Sequence, residues 1–276
     1  MSKSDSKKLR HFFHIAYQGK NYNGWQKQQD NFSLQQVLEE SLSQVLKTPI
    51  AIVGCGRTDA KVNASQFFFH ADLAKPADEN LLFRLNRILP ADIAVFDIIP
   101  MENLPHCRFD AIQRQYDYFI HTYKDPFLSD FSSLYLGLEI DFQQLKRATD
   151  LLIQYEDYRC FCTSPDKNEH TICRVSAAKW LVSENGNQLR FQISSNRFLG
   201  KMIRILVGQL LKVGKGLLSV DAFESYLINK ETPKILSPAH PQGLYLSKVT
   251  YPYLDLAPKT DFLGLQKVSN DWKLIE

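Results

Sequence analysis

Seven consecutive residues, Gly54-Cys55-Gly56-Arg57-Thr58-Asp59-Ala60, hold the densest chemistry in the sequence. Glycine on either side of Cys55 allows a tight turn and close approach of a ligand to the backbone. Arg57 and Asp59 lie two apart, so a curled loop lets the guanidinium hold the carboxylate. A carboxylate held that way stays ionised and aimed, which suits nucleophilic or general-base work. The same spacing describes a structural Arg–Asp pair that ties down a turn, and on spacing alone that plainer arrangement is the commoner one.

Four other groupings have chemical potential. Arg114-Gln115-Tyr116-Asp117-Tyr118 heads an alternating stretch that sets Tyr116, Tyr118 and Ile120 on one strand face, with Arg114 on the same side. A tyrosine there can stack on a base or move a proton; core packing is the alternative. Residues 197–216 hold Arg197, Lys201, Arg204, Lys212 and Lys215 and no acid. As a helix, this segment would align Lys201, Arg204, Gly208, Lys212 and Lys215 in one basic stripe, suited to a phosphate backbone or simply to water. Gly208 in that stripe permits another backbone to come close.

Tyr17, Tyr22 and Trp25 mix with Arg10, Lys20 and Lys27, the stacking faces and cations used on unpaired RNA, although Trp25 equally suits a core. Cys160, Cys162, His170 and Cys173 are four potential zinc ligands. The Cys-x-Cys gap is tighter than usual, and buried or loop thiols are the competing explanation. No P-loop, strand-linked GxGxxG, HExxH or GxSxG occurs, so nucleotide-cofactor and common hydrolase classes lack support.

These groups need a frame. Alternating or apolar runs predict strands at 11–17, 50–53, 65–71 and 92–99, with helices between them from a Ser33/Gln36 capping box and from an Asp78 cap to Pro90. The order is β-α-β-β-α-β, the split βαβ or ferredoxin-like plan. The second half repeats the order with insertions: strands at 115–122, 173–182, 189–195 and 243–251, and helices at 141–155, 198–213 and 220–229. The expectation is an α+β fold of two halves, 11–105 and 106–276, after a basic tail at 1–10.

Charge narrows the function classes. There are 33 Lys+Arg against 30 Asp+Glu, and the excess sits in the first ten residues, where Lys3, Lys7, Lys8 and Arg10 face Asp5 alone. The rest of the chain is formally neutral, which excludes a polycation binding nucleic acid by bulk charge but not a local basic patch. With 44% hydrophobic residues the chain can bury a sizeable core. No apolar run approaches a membrane span, no signal-peptide h-region opens the chain, and five cysteines fit reduced thiols in a cytoplasmic protein.

In order along residues 10–255, the motifs are Tyr17-Gln18-Gly19 with Tyr22-Asn23-Gly24-Trp25-Gln26; Gly56-Arg57-Thr58-Asp59-Ala60; Leu89-Pro90 with Asp92-Ile93-Ala94-Val95; and His106-Cys107-Arg108-Phe109-Asp110-Ala111. Arg114-Gln115-Tyr116-Asp117-Tyr118, Asn196-Arg197-Phe198-Leu199 with Met202-Ile203-Arg204, and Gly243-Leu244-Tyr245-Leu246 complete the set. Together they resemble the TruA family of tRNA pseudouridine synthases.

The resemblance implies two ferredoxin-like halves whose sheets join around a central RNA-binding cleft. It implies isomerisation of uridine to pseudouridine without a cofactor, in the anticodon stem-loop of tRNA, by a homodimer. It assigns Asp59 as the essential carboxylate, Tyr116 to the target base and Arg204 as the partner of Asp59. Arg57, Tyr17, Trp25, Lys61, Arg108, Arg114, Arg197 and Lys201 become candidate RNA contacts. The family pattern after the Asp-Ala is usually Gly-Val-His; here it is Lys61-Val62-Asn63. If that glycine takes a positive φ, Lys61 must adopt a strained backbone or the loop must bend differently. The alternative is a non-catalytic tRNA-binding or RNA-folding protein derived from such an enzyme.

Overall fold

In the computed structural model, residues 8–29, 31–259 and 272–275 are described. The chain runs β1 (Leu9–Tyr17), α1 (Leu34–Leu46), β2 (Ile52–Gly54), β3 (Asn63–Leu73), α2 (Leu81–Ile88) and β4 (Ile93–Pro100). It continues through β5 (Gln113–His121), β6 (Ser133–Leu134), α3 (Phe142–Asp150), β7 (Val175–Val182) and β8 (Gln188–Ser195). Then come α4 (Met202–Gly214), α5 (Val220–Asn229), β9 (Leu244–Thr250) and β10 (Lys273–Leu274). The fold is mixed α+β with mostly antiparallel strands. It divides into two units, residues 1–112 with 246–261, and residues 113–245 with 262–276.

Local chemistry sets the helix boundaries. The Ser33 hydroxyl accepts the N–H of Gln36 and starts α1, a cap that contributes about 1 kcal/mol. The Gln36 amide nitrogen donates along the helix to Glu40. Asp78 accepts from the N–H of Asn80 and so organises the turn before α2 rather than capping its first residue. Leu89 is extended because it precedes Pro90, and α2 stops there. The helix predicted at 141–155 is capped by Asp141 but ends at Asp150, passing into a tighter turn at Leu151–Ile153.

In the first unit, β1 pairs antiparallel with both β3 and β4, while β2 and β9 both lie along β3. Asn63 to Ala71 are buried at every position, so β3 needs partners on both faces. The apolar ones stack: Phe13 and Phe69, directly opposite in register, lie 4.6 Å apart and nearly parallel. The polar ones are satisfied: Gln66 accepts from the Val249 N–H and donates to the Leu256 carbonyl. Arg10, counted with the basic tail, belongs instead to β1 and makes a two-pronged pair with Asp72 across the sheet. Residues 1–7 of that tail lie outside the described residues.

In the second unit, β10, β7, β8 and β5 follow one another, with the short β6 parallel to β5. Asp117, only 2% exposed, is paired by Arg190 and also accepts from Gln192. α4 is buried at ten of its positions and packs against α3 and α5. It begins at Met202, later than predicted, because Lys201 takes a left-handed φ of 58°. No helix among the described residues is long and apolar enough to cross a membrane.

His70 on β3 gives the first unit a pH dependence. Burial, then the nearby Arg10 and His106, depress its pKa from 6.5 to about 4, so the ring is neutral and Nδ1 accepts the Cys107 N–H. Below pH 6.5 the unfolded chain takes a proton that folded His70 refuses, so stability falls with pH down to about 4 and no further from this group. The contribution has a ceiling of about 3 kcal/mol. Urea unfolding at pH 7 and pH 5 should show a smaller acid loss in His70→Gln than in wild type; equal losses would refute the assignment.

Candidate active site

Asp59 lies in the turn between β2 and β3, and that turn is built by backbone contact with a second loop. The Trp25 N–H donates to Thr58 O and the Lys61 N–H to Tyr22 O, while the Val62 N–H closes onto Asp59 O. These approaches require glycine in the facing loop: a Cβ on Gly19 would lie 2.1 Å from Val62 O, and one on Gly24 would lie 2.5 Å from Thr58 O. Side chains add two ties. Tyr17 Oη and Thr58 Oγ1 are 2.8 Å apart, and Asn63 Oδ1 accepts the Gly19 N–H at 2.7 Å.

The outcome separates neighbours by burial. Thr58 is buried, Asp59 half-buried, and Arg57 and Lys61 are exposed. Among the described residues Arg57 makes no ion pair, so an Arg57–Asp59 bridge is not what ties this turn. Thr58 and Asn63 do that work, and neither was read in that role from the sequence. Gly54 is required by packing, since a Cβ there would lie 2.5 Å from the Trp25 ring, but Gly56 has open space around it.

Lys61 has a φ of 65°. The left-handed turn expected of a glycine is therefore retained with a lysine in it. Asn63 is 1% exposed and engaged with Gly19, so its role is to hold the two loops together.

Two predicted RNA contacts become core. Trp25 is 2% exposed, stacked on Phe67 at 4.1 Å and seated over Gly54. Tyr17 is 4% exposed, edge-on to Phe67, with its hydroxyl on Thr58. Their faces are covered by protein and cannot stack on a base. Arg108 is exposed, with its guanidinium 5.8 Å from the Phe109 ring centroid.

In the second unit, β5 places Tyr116 opposite Ile193, where it is 9% exposed and meets the Phe198 ring edge-on. Arg114 Nη1 donates to Asn196 O. The predicted basic stripe is broken up. Arg197 and Lys201 precede α4, and Arg197 lies 3.0 Å from the exposed His170 ring. Arg204 Nε donates to Ala239 O while the Ala239 N–H returns to Arg204 O. Buried Gln209 donates to the carbonyls of Ile235 and Leu236, and Lys212 also reaches Ile235 O. Gly208 admits the chain here: a Cβ would lie 2.3 Å from Ser237 O. Along Arg204, Gly208 and Lys212 the stripe therefore seats the strap 235–239, because these side chains satisfy its carbonyls.

The cysteine cluster is also resolved. Cys160, Cys162 and Cys173 are buried free thiols, and burial pushes Cys160 and Cys173 up to about 12. Among the described residues no three His, Cys, Asp or Glu side chains are grouped to hold a metal.

Comparison with known proteins agrees with the motif order. Residues 151–252 match a family model described as tRNA pseudouridine synthase. A tRNA pseudouridine synthase A of Porphyromonas gingivalis is 37% identical over 246 residues, covering 88% of this chain and 97% of the relative. The chain belongs to the TruA family of tRNA pseudouridine synthases. Relatives of the same name from Parabacteroides distasonis and Exiguobacterium sibiricum are 37% and 31% identical, covering 88% and 86% of this chain and 96% and 95% of their own lengths. Against the TruA pattern, the departures at Lys61 and Asn63 both sit in the turn described above, and both accommodate its geometry.

Two stability predictions follow from the backbone. Lys61→Gly relieves a left-handed residue costing about 1–2 kcal/mol and adds chain entropy worth about 0.5–1 kcal/mol, so it should be neutral to slightly stabilising. Lys61→Val should lose more than about 1 kcal/mol, because a β-branched residue tolerates positive φ poorly. Gly208→Ala should cost about 1–3 kcal/mol by pushing the strap from α4, whereas Gly56→Ala should change stability by less than about 0.5 kcal/mol. Urea midpoints of the four variants check both statements.

Proposed function

We propose that this enzyme isomerises uridine to pseudouridine in tRNA with Asp59 as its essential carboxylate, and that Tyr116 and Arg204 act with it on the target nucleotide. The observation that supports this most is the construction of the Asp59 turn. Its flanking residues are pinned to a second loop by backbone and buried polar contacts, while the carboxylate itself is only half-buried. A reactive group needs that combination of a fixed base and an accessible tip.

The reaction exchanges the N1–C1′ glycosidic bond for C5–C1′. A carboxylate serves either by adding to the sugar or by abstracting a proton so that a glycal forms. Tyr116 offers a ring to retain the freed base and a hydroxyl to take the C5 proton. Arg204, oriented through its Nε on Ala239 O, brings a permanent cation to act with Asp59. The family resemblance further supports the anticodon stem-loop as target, a cytoplasmic homodimer, two ferredoxin-like halves at 11–105 and 106–276, and no cofactor. Exposed Arg57, Lys61 and Arg108, with Arg114, Arg197 and Lys201, remain the proposed RNA contacts. The non-catalytic alternative rested on Lys61 and Asn63; the retained turn geometry favours the enzyme.

Incubation with uridine-labelled tRNA should yield pseudouridine, and Asp59→Ala should lower the single-turnover rate by about 10³-fold or more. Activity surviving in the alanine variant would remove Asp59 from the chemistry. Wild-type protein that binds tRNA without product would favour the non-catalytic alternative.

A further inference from the structure

Phe109 is 76% exposed, yet it is held in place by a closed turn. The Asp110 N–H donates to His106 O, and Asp110 Oδ2 accepts from the His106 N–H and from Tyr253 Oη. His106 Nδ1 faces the N–H groups of Arg108 and Phe109. Cys107 plugs the turn into the first unit: it is fully buried, its N–H donates to His70 Nδ1, its thiol to Val53 O, and its carbonyl accepts from Tyr251 Oη.

On this base the imidazole of His106 stacks against the Phe109 ring, with centroids 4.3 Å apart and planes 28° apart. His106 is itself met edge-on by His70 at 4.9 Å. The Arg108 guanidinium lies over the Phe109 ring, 5.8 Å from its centroid, while the ring itself stays 76% exposed. The arrangement is a flat aromatic surface backed by a second ring, flanked by an exposed cation and largely open to solvent. The turn's one carboxylate, on Asp110, is engaged by His106 and Tyr253.

We propose that Phe109, backed by His106 and flanked by Arg108, stacks on an unpaired base of the bound tRNA, with Arg108 on an adjacent phosphate. The proposal rests on the tRNA substrate proposed above and adds a recognition site to it. Nothing in the 106–110 turn resembles the groups assigned to the reaction, and a phenyl ring cannot move a proton. Its contribution is therefore to affinity, and the base it holds is a neighbour of the reacting uridine rather than that uridine. Stacking on an aromatic ring tolerates any base, whereas the cation beside it selects for a phosphate chain over an apolar protein surface.

The test uses the full chain and unmodified tRNA. Phe109→Ala should weaken tRNA binding by about 5- to 100-fold while the single-turnover rate at saturating tRNA stays within about twofold. Phe109→Leu, with similar apolar bulk but no ring face, should remain weak. Phe109→Trp should bind like wild type, and its added indole emission should be quenched on tRNA addition. Arg108→Gln should reduce the slope of log K against log salt by about 1.

Wild-type protein that binds and isomerises tRNA, with Phe109→Ala equally tight or the added tryptophan unquenched, overturns the platform and leaves the function standing. A Phe109→Ala protein with normal tRNA affinity but altered sedimentation assigns the ring to a second copy of the chain and also overturns it. A wild type that binds no tRNA overturns the functional proposal and this one together.

Discussion

The turn that carries Asp59 can exist only because two backbones touch. Gly19 and Gly24 have no Cβ to keep the facing loop away, so the Trp25 N–H reaches Thr58 O and the Lys61 N–H reaches Tyr22 O across the gap. Around that contact the fold places buried polar pairs, Tyr17 with Thr58 and Asn63 with the Gly19 N–H, each of which would be costly to leave half-made. The aromatic cluster of Trp25, Phe67 and Tyr17 then fills the space beneath. Displacing one loop would uncover the other, which is how the turn around half-buried Asp59 is held.

The second unit applies the same constraint to an arginine. Polar side chains on α4 meet the carbonyls of an otherwise irregular strap, and Gly208 lets that strap lie against the helix. Irregular backbone must find hydrogen-bond partners when it is packed down, and here a helix supplies them. Arg204 is thus oriented by what it holds. Tyr118 extends the arrangement by donating to His240 O just beyond the strap, with Ser133 Oγ 2.8 Å from the same hydroxyl.

Much of this was legible in the sequence. Alternation and caps placed nearly every strand and helix, and the element order predicted an antiparallel α+β fold. The two-residue strands β6 and β10 were missed because such short segments have no periodicity to read. Lys61, standing where the family pattern has glycine, left a strained backbone and a differently bent loop both open, and the structure has the left-handed backbone. Between stacking face and core for Tyr17 and Trp25, and between phosphate track and solvated face for the α4 stripe, the sequence could not choose, because it shows which groups share a face, not what covers it.

Residue types and their spacing determined the family and the element order and nominated candidates for the chemistry, because motifs and periodicity are local properties of the chain. Only tertiary structure decided that Thr58 and Asn63, not an Arg57–Asp59 bridge, tie down the Asp59 turn. It alone showed Trp25 at 2% exposure and Phe109 at 76%. Burial is set by segments distant along the chain, and whether an aromatic ring or a cation meets protein or solvent depends on which of them arrives.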